Sequence, residues 1–328
     1  MIVDLHSDLL LDLADRRVAG ERAVFRDRHL PALQEAGVRV QILAVYCSTQ
    51  HVTDLALRHA LRLIDVAHRE ADESDGALRI VTTGEELDAA LADGAIAGIL
   101  SLEGAEPLGR DPELARVFAR LGVRAIGLTW NRANDFADGA TEDRGAGITP
   151  AGRRLLEEMA EAGIALDLSH LTERAAHDAL EHAPGAVFAS HSNAAAVYPS
   201  LRNLPDDVIA GIGERGGVCG LNLIPVFLGP DPVGPQAAAH ARHIAAVGGP
   251  TVPALGADFV AFLSHGPAEP AHLRPPEGPD PDLRDAPEPP RETAYAEIRS
   301  AVTSDGDEAT ADALLSGNAL AFLRRALV

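Results

Sequence analysis

The sequence has no lysine: all 28 basic residues are arginine, set against 49 acidic ones, for a formal net charge of −21. A field of that sign repels phosphate backbones and anionic bilayer surfaces, and no basic stripe with interleaved aromatics offsets it; nucleic acid and membrane partners are excluded. Cysteine is nearly absent as well. Cys47 and Cys219 are too few for a disulfide framework, and each lies in an apolar run (ILAVYC, GGVCGLNL) that reads as a small buried hydrophobe. No run approaches the roughly 18 apolar residues of a spanning helix. The opening MIVDLHSDLL puts Asp4, His6 and Asp8 where a signal peptide needs a basic and then an apolar region, so a cytoplasmic protein is expected. Two further absences bear on chemistry. Without Gly-x-Gly-x-x-Gly after the first apolar run a dinucleotide fold has no support, and without Gly-x-Ser-x-Gly a serine hydrolase has little.

What is present is a long alternation. Eight β-type runs recur, at Ile2–His6, Val38–Tyr46, Ala97–Glu103, Val123–Trp130, Gly163–His170, Ala186–His191, Gly217–Leu223 and Thr251–Asp258, with Leu78–Thr82 as a ninth candidate. Most are continuously apolar, as strands buried on both faces of a parallel sheet are. Helical periodicity fills the gaps at Asp54–Glu70, Asp111–Leu121, Pro150–Ala162, Thr172–His182 and Asp206–Arg215, with start signals such as Thr149-Pro150. This is an α/β protein, and eight strand–helix units predict a closed (β/α)₈ TIM barrel. Residues 1–328 read as a single barrel domain with two additions. One is a proline- and acid-rich loop at about 265–291; the other is a closing helix over Asp307–Ala326.

The polar residues that end these runs carry the chemistry: His6-Ser7-Asp8, Glu103-Gly104, Asp167-Leu168-Ser169-His170, Ser190-His191-Ser192 and Asp258. In a barrel the C-terminal strand ends converge on one face, so three histidines and several carboxylates would meet in one cup and form a metal site. His6 and Asp8, two apart on an extended segment, point to the same side. Glu103 has two oxygens and can bridge two cations at roughly 3.5–4 Å. Asp167, inside its strand, reads as a partner orienting an imidazole. His177 and His182, and His240 and His243, read as exposed helix faces.

The segments DLHSDLLLDL, SLEGAEPLG, GLTWNRANDFADG, GITPAGRRLLEEMAEAGIALDLSH, SHSNAAAVYPSLRNLPDDV, LGADF and LLSGNALAFL, in that order across nearly the whole chain, resemble the membrane dipeptidase (renal dipeptidase) family of zinc metallopeptidases. The resemblance implies an amidohydrolase-like barrel with two zinc ions, one on His6 and Asp8 and the other on His170 and His191, with Glu103 bridging both. It further implies that Arg202 grips the substrate carboxylate and that Asp258 handles the proton. The implied reaction is hydrolysis of a dipeptide, with a D-residue tolerated at its C-terminal side, by a hydroxide held between the ions. Relatives suggest a homodimer.

Two departures from the family pattern stand out. Leu128-Thr129-Trp130 replaces Leu-Thr-His, putting the only tryptophan of the chain beside the substrate, to pack the barrel mouth or offer an indole N–H. Asp258-Phe259-Val260-Ala261 replaces Asp-Phe-Asp-Gly, which implies an altered pocket on that side. These departures motivate one alternative, an amidohydrolase acting on a non-peptide amide or lactam in a specialised pathway; a second, of another class, is a catalytically inactive barrel that binds small molecules.

Overall fold

A computed structural model describes residues 1–47, 55–230, 232–263 and 290–327. Among the described residues nine strands form one parallel sheet: β1 (Ile2–Asp4), β2 (Val38–Tyr46), β3 (Leu78–Ile80), β4 (Ile96–Glu103), β5 (Val123–Gly127), β6 (Ala165–Asp167), β7 (Val187–Phe188), β8 (Cys219–Leu221) and β9 (Pro253–Leu255). Hydrogen bonds run in the order β7-β6-β5-β4-β2-β1-β9-β8. The two ends of that path meet. Ala189 N–H donates to Val218 O at 2.9 Å and Gly220 N–H to Ala189 O at 2.8 Å, so the eight strands close into the expected (β/α)₈ barrel. The ninth candidate is real but stands outside the ring: β3 pairs with the start of β4 through Leu78 and Ile96, ahead of the point where β5 joins at Leu100.

Continuous burial explains the strands. All eight residues of β4 are buried, because one face fills the barrel and the other lies under helices. Val3, Leu5, Val40, Ile42, Ala97, Ile99, Ala125, Ala165 and Phe188 fill the interior, and the helix Asn318–Ala326 covers its base with Leu320, Phe322 and Leu323. Phe188 and Phe322 meet there, their ring centroids 5.2 Å apart.

The expected helix starts are in place. Thr149 caps Pro150–Glu161 by accepting from Gly152 N–H, and Thr172 caps Glu173–His182 by accepting from Ala175 N–H. Three expectations are corrected. β1, β5 and every strand after β5 are shorter than their apolar runs, because residues at the ends of each run leave the sheet, among them those that present side chains at the mouth. The helix expected over Asp307–Ala326 is capped by Asp307 and carries a π-helical turn at Ala313–Gly317. Most of the loop expected at 265–291 lies outside the described residues, and its last residue, Arg291, already begins the helix Arg291–Asp305. Among the described residues no helix is long and apolar enough to cross a membrane.

Candidate metal centre

The C-terminal mouth gathers His6, Asp8, Glu103, His170, His191, Arg202 and Asp258 into one buried cluster. Glu103, the last residue of β4, divides its carboxylate between two groups. Its Oε1 lies 2.9 Å from His170 Nε2 and 3.7 Å from His191 Nε2, while its Oε2 faces His6 Nε2 at 3.6 Å. His6 Nε2 is also 3.6 Å from Asp258 Oδ1 and 3.9 Å from Asp8 Oδ2. Among the described residues, His6–Glu103–His191 and His6–Asp8–Asp258 each bring their ligand atoms within 4.8 Å of one another.

Hydrogen bonds settle which imidazole nitrogens are bare. His191 Nδ1–H donates to Ser190 Oγ at 2.6 Å, because the Ser190 hydroxyl proton is already committed to Asp167 Oδ2. His170 Nδ1–H donates to Asn131 Oδ1 at 2.8 Å. Both Nε2 atoms therefore present lone pairs, as metal-ligating histidines do, and they face each other at 2.8 Å. Among the described residues, His6 Nε2, Asp8 Oδ1 and Glu103 Oε2 are buried with no hydrogen-bond partner. Converging lone pairs and orphaned carboxylate oxygens repel one another in a low dielectric unless a cation sits among them, so this donor set fits metal.

The electrostatics agree. Burial alone would depress the His6 imidazole, but Glu103, Asp8 and Asp258 outweigh it and hold the ring proton up to about 10. Burial raises Glu103 well above the carboxylate range and takes Asp258 to about 7. His170 and His191 are driven well below ordinary histidine by burial and by the positive charges of Arg202 and His6. The site thus draws positive charge to the His6 side and keeps the other two rings neutral.

The scaffold holds these groups tightly. His170 and Asp258 adopt left-handed backbone, with φ of 71° and 58°, which non-glycine residues keep only where their surroundings impose it. Asn222 Nδ2 donates to Asp258 Oδ2 at 2.9 Å and leaves Oδ1 to face His6. Buried Asp4 ties β1 to the segment after β9: its Oδ1 accepts from Ala257 N–H at 2.8 Å and His6 N–H at 3.3 Å, and its Oδ2 from Tyr295 O–H at 3.1 Å. Arg202 is buried and not a surface arginine; its Nη2 donates to His170 Nε2 at 3.0 Å, and its guanidinium lies over the Phe227 ring. Trp130 stands at the mouth between Tyr46 and His170, with ring centroids at 5.1 and 5.9 Å.

All the ligand candidates read from the sequence thus stand together, and Asp167 orients His191 through the hydroxyl of Ser190. Sequence reasoning missed Asp4, Asn131, Ser190 as a relay, and Asn222. Ser190 and Asn131 adjoin residues already singled out, which is a weak signal. Asp4 and Asn222 show none, since their roles come from partners on other strands. One reading is corrected. His240 does not lie on an exposed face: it is fully buried, accepting from Ala194 N–H at Nδ1 and donating to Leu228 O from Nε2. Cys47 and Cys219 are buried free thiols, with burial pushing Cys47 up to about 12.

The chain matches, over residues 1–271, the sequence model described as membrane dipeptidase (peptidase family M19). It is 38% identical over 159 residues to an uncharacterized dipeptidase of Schizosaccharomyces pombe, covering 47% of this chain and 39% of that protein. It is 30% identical over 215 residues to a dipeptidase of Claviceps purpurea, covering 64% of this chain and 51% of that protein. The matches span about half the length of these curated relatives. The fold superposes with a TM-score of 0.83 on a metallopeptidase of Rhodobacter sphaeroides liganded with a phosphinate mimic of L-Ala-D-Ala, at 27% identity over 99% of both chains.

Proposed function

The chain belongs to the membrane dipeptidase family, and we propose on that premise that it is a dipeptidase working with two zinc ions at the barrel mouth. The observation that carries this reading is the divided carboxylate of Glu103, one oxygen toward His170 and His191 and the other toward His6. In it, His6 and Asp8 would hold one ion and His170 and His191 the other, with Glu103 placed to serve both. When bound, the ions supply Lewis acidity and lower the pKa of water to about 7.

The protein's own groups do the rest. Arg202 offers a buried guanidinium to the terminal carboxylate, and a buried charge of this kind gives most when it is paired. Asp258 is locked at Oδ2 by Asn222, so Oδ1, which faces His6, is the oxygen left to take a proton and pass it to the departing amine. Trp130 supplies an aromatic wall and an indole N–H on the β5 side. Anchoring both ends of a short chain favours dipeptides over longer peptides. The L-Ala-D-Ala mimic held by the Rhodobacter sphaeroides neighbour supports tolerance of a D-residue at the C-terminal position.

Trp130 favours a second reading, in which the reactive bond is a non-peptide amide or a lactam. A panel of L-Xaa-L-Xaa and L-Xaa-D-Xaa dipeptides, assayed with added zinc beside simple amides and lactams, separates the two. Turnover of dipeptides supports the first reading. Turnover confined to the other amides replaces it with the second.

A further inference from the structure

Glu106 lies three residues beyond Glu103, in the short turn Glu106–Leu108, and takes no part in the centre described above. Its Oε1 accepts from the backbone N–H of Trp130 at 3.4 Å and from Asn134 Nδ2 at 3.2 Å. Asn134 also donates to Leu128 O at 2.7 Å and accepts from Phe136 N–H at 2.8 Å, so the carboxylate anchors a network that spans the turn after β5. Among the described residues its Oε2 is buried without a hydrogen-bond partner, and it occupies the space that a side chain at Gly104 would take. A Cβ at Gly104 would stand 2.0 Å from that oxygen and 2.9 Å from Trp130 N, and Gly104 has φ +97°. Glycine is required there both for its backbone and to leave room for the Glu106 carboxylate.

The segment that Glu106 grips carries two functions. Trp130 stands at the mouth with its ring 5.9 Å from that of His170, and Asn131, the next residue, accepts from His170 Nδ1. A shift of the Trp130 amide would therefore move the aromatic wall of the pocket.

We propose that Glu106 is a positioning residue: its carboxylate, seated in the space left by Gly104, fixes where Trp130 stands beside His170 and so sets the wall against which the substrate packs. For the substrate this rests on the dipeptidase reading; for the placement of Trp130 it does not.

Trp130 is the only tryptophan, so intrinsic fluorescence reports on this residue alone. The test compares emission, acrylamide quenching, zinc content and dipeptide kinetics of the full-length wild type, Glu106→Ala and Glu106→Gln. The alanine variant should shift Trp130 emission and raise its quenching. Its KM should rise about five- to tenfold, the weight of one lost hydrogen bond, with kcat within about twofold and zinc content unchanged. Glu106→Gln, which keeps an acceptor for the Trp130 N–H, should recover most of the difference in both emission and KM. Unchanged emission in Glu106→Ala, or a loss that falls on zinc content and kcat instead, would overturn the proposal. A protein that cleaves no dipeptide contradicts the functional reading, and the emission data then decide the positioning role on their own. Should the alanine variant not fold, Glu106→Asp takes its place with the same expected outcomes, because it keeps the charge but withdraws the carboxylate from the Trp130 N–H.

Discussion

The Nε2 atoms of His170 and His191 stand 2.8 Å apart, and neither carries a proton for the other. Each ring spends its one N–H elsewhere, His170 on Asn131 and His191 on Ser190. Two lone pairs held this close, with Glu103 Oε1 beside them, make a cation the natural third party.

Removal of metal should therefore destabilise the fold. A ligand that binds only the native state raises its stability in proportion to RT ln(1 + [L]/Kd). Chelation should lower the thermal midpoint by several degrees, given about 2–4 °C per kcal/mol for chains of about 150–250 residues, and added zinc should restore it. Scanning fluorimetry with and without chelator checks this.

Ser190→Ala should weaken metal binding without removing a ligand. Asp167 would lose its route to His191 Nδ1, and the ring would lose the hydrogen bond that holds its tautomer. Loss of such a supporting partner costs about 10- to 100-fold in metal affinity. Zinc titration by calorimetry should show that drop, with activity largely regained at high zinc.

Arg202→Met should damage substrate binding and leave the metal in place. Losing one partner of a buried charge pair costs about 2–5 kcal/mol, so kcat/KM on dipeptides should fall by about 30-fold or more. On dipeptide amides, which lack the carboxylate, the same substitution should matter far less. Steady-state kinetics on both substrate series gives the comparison.

Acid stability should depend on Glu73, far from the mouth. Hydrogen bonds from Arg17, joined by the Ala23 N–H, hold this carboxyl down at about 2, below its ordinary value of 4.5. A depressed carboxylate contributes stability that is complete above its unfolded pKa and is lost as pH falls through the folded one. The stability advantage of wild type over Glu73→Gln should therefore be full above about pH 5 and vanish toward pH 2. Denaturant midpoints across that range measure it.

The barrel was legible because its strands are buried on both faces and leave continuous apolar runs, β2 and β4 above all. The ligands were legible for a related reason: His6, Glu103, His170 and His191 are the polar residues at which such runs stop. The supporting groups were not. Asn222 acts on Asp258 and Asp4 on Ala257 across strands that only the closed sheet brings side by side. His240 looks in sequence like one of a pair on an exposed helix, yet the Ala194 N–H and Leu228 O that hold it inside come from segments the helical spacing does not reveal. Glu106 lies between Gly104 and a proline in a turn, where nothing local shows that its carboxylate reaches Trp130.

The most direct measurement is the metal content of the full-length protein, purified and reconstituted with zinc, taken by mass spectrometry on wild type. A centre bridged by Glu103 predicts two zinc ions per chain. One ion per chain, or none, would contradict it.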